Sequence, residues 1–163
     1  MKLNQLLVAV AIALSSATAM ATNFTQNINV SGGTTSFGQA HAGTAGAFTD
    51  TYTFTGIASP SNINIGIFSF GFSAAQNIDF TSVFLNGNVL DLSNGLFVST
   101  ANTPTNLLLS SPFTLIVNGI SGSNASYAGV LNVAAVPEPE SYALMLAGLG
   151  LVGFAVRRQK NVA

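Results

Sequence analysis

Residues 48–55, Phe-Thr-Asp-Thr-Tyr-Thr-Phe-Thr, hold the cleanest alternation in the chain. Successive side chains of a strand point to opposite faces, so Phe48, Asp50, Tyr52 and Phe54 share one face and four threonines the other. The aromatic face is the one expected in the core, and it takes Asp50 in with it. Phe24, Ile28 and Val30 give a weaker version of the pattern at 23–30, and Ile63, Ile65 and Ile67 repeat it at 63–67. The phase then switches to Phe68, Phe70 and Phe72, which predicts a β-bulge or a strand passing from one sheet to another. Further strands are expected at 78–85, 89–92, 96–99, 113–117 and 127–133. Asn86-Gly87 is a tight hairpin signal, and Asn94-Gly95, Asn118-Gly119 and Ser121-Gly122 punctuate the rest. Residues 31–46, broken by five glycines, are expected to form a loop carrying His41, the one histidine of the chain. No helical period runs through residues 22–136. About seven to nine short strands over this length predict an all-β fold, a single β-sandwich in jelly-roll or Ig-like style.

The two ends follow other rules. Met1-Lys2, the apolar stretch Leu6 to Leu14 and the small-residue site Ala19-Met20-Ala21 make residues 1–21 a secretory signal peptide. Cleavage after Ala21 starts the mature chain at Thr22; the alternative site Ala17-Thr18-Ala19 starts it two residues earlier. At the other end stand Pro137-Glu138-Pro139, an uncharged apolar run over 142–156, and the basic end Arg157-Arg158-Gln159-Lys160. The prolines lack a backbone donor and push their predecessors towards extended geometry. The apolar run, about 15 residues or about 22 Å as a helix, is short against a hydrocarbon core of about 30 Å. It is expected to be a short transmembrane helix that inserts through local thinning, with the basic end held on the cytoplasmic side.

Between the ends lies one domain of about 115 residues, 22–136, enough to bury its own core. All four basic residues of the chain, Lys2, Arg157, Arg158 and Lys160, lie outside it, and its charges are Asp50, Asp79 and Asp91. A domain without Lys or Arg has nothing to hold phosphates, so nucleic acid is not an expected partner. The chain has no cysteine, so its stability comes from sheet and core without disulfides.

Candidate chemistry is sparse. One His, no Cys and three carboxylates offer few nucleophile-base pairs, and no Gly-x-Ser-x-Gly elbow accompanies His41, which is expected to be a solvated loop residue. The three Asp residues carry no mark of an acid and base pair for glycoside cleavage. Calcium at Asp91-Leu92-Ser93-Asn94 lacks the EF-hand spacing, and turn-forming Asp is the favoured reading. Asp50 is expected either to guard a strand edge or to accept backbone N–H bonds from a neighbouring turn. Three Asn-x-Ser/Thr sequences, at Asn23, Asn29 and Asn124, are attributed to the Asn/Ser/Thr-rich composition. No catalytic residue, metal or cofactor is expected.

The tail's order and spacing, Pro137-Glu138-Pro139, a short apolar helix and Arg157-Arg158 at the end of a chain with a secretion signal, resembles the PEP-CTERM sorting signal of Gram-negative bacteria. The resemblance implies processing by an exosortase, a membrane-embedded cysteine transpeptidase-like enzyme, near the Pro-Glu-Pro. Within the domain, Phe48-x-Asp50-x-Tyr52, Val83-Phe84-Leu85-Asn86-Gly87, Val117-Asn118-Gly119 and Tyr127-Ala128-Gly129 are similar to the FxDxF family of PEP-CTERM proteins, with Tyr52 in place of the family's second Phe. That family brings no activity with it. The expectation is an exported, non-catalytic cell-surface or extracellular-matrix protein, transiently held in the inner membrane as a precursor through 142–156. The alternative is a carbohydrate-binding module associated with exopolysaccharide, weakened by the absence of Trp.

Overall fold

The computed structural model describes residues 23–30, 33–43, 45–57, 60–136 and 139–160. The signal peptide, including Ala19 and Ala21, and the motif residues Pro137 and Glu138 lie outside the described residues. Eleven strands and one helix are present among those described: β1 Phe24–Asn29, β2 Gly33–Ala42, β3 Gly46–Thr55, β4 Ser61–Phe70, β5 Ile78–Leu85, β6 Asn88–Val89, β7 Asp91–Asn94, β8 Val98–Asn102, β9 Leu107–Leu109, β10 Phe113–Ser121, β11 Asn124–Ala135, and the helix α1 Pro139–Lys160. One sheet has the order β1-β3-β10-β5-β6; the other runs β2-β11-β4-β8-β7, with β9 pairing β4. All pairs are antiparallel except β1 with β3.

Alternation decides what faces inward. On β3, Phe48, Asp50, Tyr52 and Phe54 are buried while Thr51, Thr53 and Thr55 are half-exposed. Ile63, Ile65 and Ile67 of β4 and Phe113, Leu115 and Val117 of β10 complete the same core. Rings from the two sheets meet across it: Phe37 of β2 lies 4.9 Å from Tyr52 and 5.6 Å from Phe54 between centroids. Two of these rings need a glycine opposite them. Phe37 pairs with Gly129 and Phe48 with Gly119 in cross-strand register, and a Cβ at Gly119 would stand 2.8 Å from the Phe48 ring. At Gly129 a Cβ would overlap the Phe37 ring outright.

Two local expectations are corrected. The segment read as a glycine-rich loop contains the ten-residue strand β2, because Gly38 and Phe37 fit the close register with β11 and not a turn. The phase switch at Phe68 is neither a bulge nor a crossing: β4 is continuous, and Phe68 and Phe70 stand exposed on the outer face. The crossing between sheets happens instead at Leu90, buried between β6, which pairs β5, and β7, which pairs β8. The Asn86-Gly87 hairpin forms as expected, both residues at positive φ, 48° and 85°.

The transmembrane helix expected over 142–156 is not shown by the described residues. α1 is longer, 22 residues, yet among the described residues no helix is long and apolar enough to cross a membrane. Its uncharged part is bounded by Glu140 on one side and Arg157-Arg158 on the other, and three glycines thin its side chains.

Two stability outcomes follow from the inward pattern. Phe54→Ala is expected to cost about 3 to 5 kcal/mol and Thr53→Ala clearly less, measured by denaturant unfolding of both. Gly129→Ala, which must displace the Phe37 ring, is expected to lose about 1 to 3 kcal/mol, and Phe37→Leu in the same background to recover part of it.

Candidate functional site

Asp50 is the residue around which the domain's chemistry gathers. It sits in the second strand of its sheet, flanked by β1 and β10, so it guards no edge. Its carboxylate is fully buried and accepts three hydrogen bonds: the Tyr127 hydroxyl donates to Oδ2 at 2.6 Å, His41 Nε2 lies 3.0 Å from the same oxygen, and the Phe24 N–H donates to Oδ1 at 3.1 Å. The Tyr52 and Tyr127 hydroxyls are 2.9 Å apart. Asp50 and Tyr52 belong to one sheet, His41 and Tyr127 to the other. The cluster is therefore a polar tie across the core.

Burial dominates its electrostatics. It raises the Asp50 carboxyl above the ordinary carboxylate value, against the pull of Tyr127, His41 and the Phe24 N–H. Burial likewise pushes the Tyr52 phenol up to about 12. Tyr127 is driven well above the usual phenol range by burial first and then by its bond to Asp50. Both phenols thus stay neutral, and with Asp50 ionised the one Tyr127 proton goes to the carboxylate, leaving its oxygen to accept from Tyr52.

His41 is the main reversal from the sequence. It is buried against Phe48, centroids 4.1 Å apart, instead of solvated in a loop. The His-Asp pair has the components of a catalytic dyad. With side-chain exposures of 1 % and 0 % it is closed to any substrate. Sequence reasoning singled out Phe48, Asp50 and Tyr52 but missed His41 and Tyr127. The signal was available, since an Asp placed on an aromatic core face needs donors, and a domain with no Lys or Arg has few to offer. Asp50 does take one backbone N–H, but from Phe24 of the paired strand β1 and not from a neighbouring turn. Three of the four segments that carry the narrower resemblance, all but Val83 to Gly87, meet here or beside it: Tyr127 donates to Asp50, Gly129 admits Phe37, Gly119 admits Phe48, and Asn118 accepts from Thr49 and donates to Ser82.

The second candidate site is the tail. β11 keeps its pairing to Ala135, opposite Ser61, and α1 begins at Pro139. Every side chain described on α1 is exposed, including Leu144, Leu146, Leu149, Leu151 and Phe154, with Arg157 and Arg158 exposed near its end. Such a helix is apolar on all sides and covered on none. Residues 135–159 match the family described as the PEP-CTERM protein-sorting motif. The chain carries a PEP-CTERM sorting signal, the mark of an exosortase substrate. The match takes in Pro137, Glu138, Pro139, Arg157 and Arg158 and reaches only the last two residues of the domain, whose motif residues Phe48, Asp50 and Tyr52 lie outside it.

No curated protein matches the chain. Among solved structures, the pre-peptidase C-terminal domain of a Bacillus anthracis collagenase is similar at 16% identity and TM-score 0.35, covering 67% of this chain and 93% of that one. A Podospora anserina GH26-CBM35 β-(1,4)-mannanase is similar at 12% identity and TM-score 0.37, over 66% of this chain and 29% of that one. Both scores lie under 0.5, so what the domain does is read from its own geometry.

The core tie has two measurable consequences. Tyr127→Phe removes the hydroxyl that serves Asp50 and Tyr52 together and is expected to cost about 1 to 3 kcal/mol by chemical denaturation. The raised Asp50 carboxyl holds its proton more tightly in the folded domain than in the unfolded chain. Its contribution to stability is then full below the unfolded value and is lost as pH rises through the folded one. Unfolding curves of wild type and Asp50→Asn, compared from about pH 3 to about pH 7, should show the wild type losing stability relative to the variant as pH rises.

Proposed function

We propose that this chain is the precursor of an exported, non-catalytic cell-surface or extracellular protein of the FxDxF type, released from its tail by an exosortase. The observation that carries the reading is the PEP-CTERM match over 135–159 on a segment that stands clear of the domain. Since β11 ends at Ala135, a cut in or after the Pro-Glu-Pro removes α1 without breaking a strand pair. The exposed apolar face of α1 supports a precursor that rests in the inner membrane's apolar layer, with Arg157 and Arg158 at the headgroups. Spanning the layer is not required for this.

The non-catalytic part of the reading has its support in the sealed His41–Asp50 pair and in the lack of a cation among Thr22 to Val136. The domain is a β-structure built for persistence outside the cell without disulfides, displaying threonines and asparagines to solvent.

The test is the mass of the product from the native host. With the exosortase present, the surface protein is expected to lack residues 142–160, while without it, or in Glu138→Ala, the protein is still exported but keeps its tail. Recovery of wild-type surface protein with Arg157 and Arg158 attached would instead make the tail a permanent anchor.

A further inference from the structure

We propose that the domain binds a hexose unit of a neutral polysaccharide in the cleft between residues 74–79 and residues 94–96. This goes beyond the processing reading and does not depend on it. The cleft has a volume of about 430 Å³ and is lined by Ala74, Asn77, Asp79, Asn94, Gly95 and Leu96, within the range of small-molecule sites. Asp79 is its one carboxylate. The Asn77 amide donates to Asp79 Oδ1 at 2.9 Å, which fixes the carboxylate and leaves acceptor capacity on both oxygens. Asn94 is held by the Phe80 backbone on both sides of its amide, at 3.1 and 2.8 Å.

Both walls are set before a ligand arrives. Gly71 N–H bonds Phe97 O at 2.9 Å, Phe72 N–H bonds Gln76 Oε1 at 3.1 Å, and the turn after β10 ties down the loop through Gly122 N–H to Asn77 O at 2.8 Å and Asn124 N–H to Ala75 O at 2.7 Å. A Cβ at Gly122 would overlap Ala74 and Ala75, so this contact is closely packed. Pre-formed walls lower the ordering cost of binding.

The surroundings choose the ligand. Of the domain's exposed large apolar side chains, Leu96 lines the cleft, and Phe97 and Val98 follow it along the chain. A carboxylate and an amide beside the exposed Leu96 side chain suit a ring with hydroxyls around its edge and C–H groups on its face, as a hexose has. The lone Asp79 charge, in a domain without Lys or Arg, repels acidic polymers and nucleic acid. The cleft also lies by the turn that opens β11, about 40 Å along that twelve-residue strand from the end that leads to α1. A precursor held by its tail would present it outward.

The experiment is affinity electrophoresis of the full chain, kept in solution by a detergent without a sugar headgroup, through gels containing a neutral glucan, mannan or galactan, or an acidic polyuronate. Retardation by at least one neutral polymer and not by the polyuronate is expected, with Asp79→Asn and Leu96→Ala each weakening the apparent affinity about tenfold or more and Asp91→Asn leaving it unchanged. Circular dichroism confirms that each variant is folded. Absence of retardation by any neutral polymer would overturn the proposal, as would retardation that Asp79→Asn leaves intact. Self-association abolished by Leu96→Ala, without sugar binding, would assign the cleft to a second copy and overturn it equally.

Discussion

Two sheets with no disulfide between them are held in register by one buried polar cluster as well as by their rings. Asp50 receives Tyr127 and His41 from the opposite sheet and the Phe24 N–H from its neighbouring strand. A buried carboxylate with fewer donors would be costly, so the cluster tolerates few alternative arrangements. Slipping β3 by one residue would turn Asp50 out and Thr49 or Thr51 in, leaving His41 and Tyr127 without their acceptor. The tie thus favours one registration of β2, β3 and β11 over its neighbours, a specificity that apolar packing supplies less sharply.

The glycine and phenylalanine pairs serve the same end by shape. Gly119 beneath Phe48 and Gly129 beneath Phe37 let each ring lie over its sheet and reach across the core. His41 then stacks near Phe48, and Tyr127 meets Phe80 edge to face at 5.9 Å. Polar tie and ring packing share residues, so a change at Tyr127 disturbs both.

Around this centre the molecule separates its tasks. The tail is exposed along the described length of α1 and begins four residues beyond the last paired residue of β11. Among the described residues, six exposed large apolar side chains, Phe68, Phe70, Phe72, Leu96, Phe97 and Val98, fall at the end of β4, in the segment after it and at residues 96–98.

Period-two alternation by itself determined the all-β class, the inward face of β3 and the Asn86-Gly87 hairpin, because these depend on neighbours along the chain. Composition determined the absence of cations in the domain, and order and spacing determined the tail. Tertiary structure alone decided the rest. Glycines at 33 and 38 look like loop residues until β11 lies beside them and Gly38 is found where a Cβ would collide with the Tyr127 backbone. Phe68 and Phe70 look like core until β4 is seen to run straight through with Ile67 and Ser69 inside. His41 lies nine residues from Asp50 and Tyr127 lies 77 away. A buried charge announces that it needs donors, but which donors reach it is set by how two sheets face each other, and no local pattern contains that.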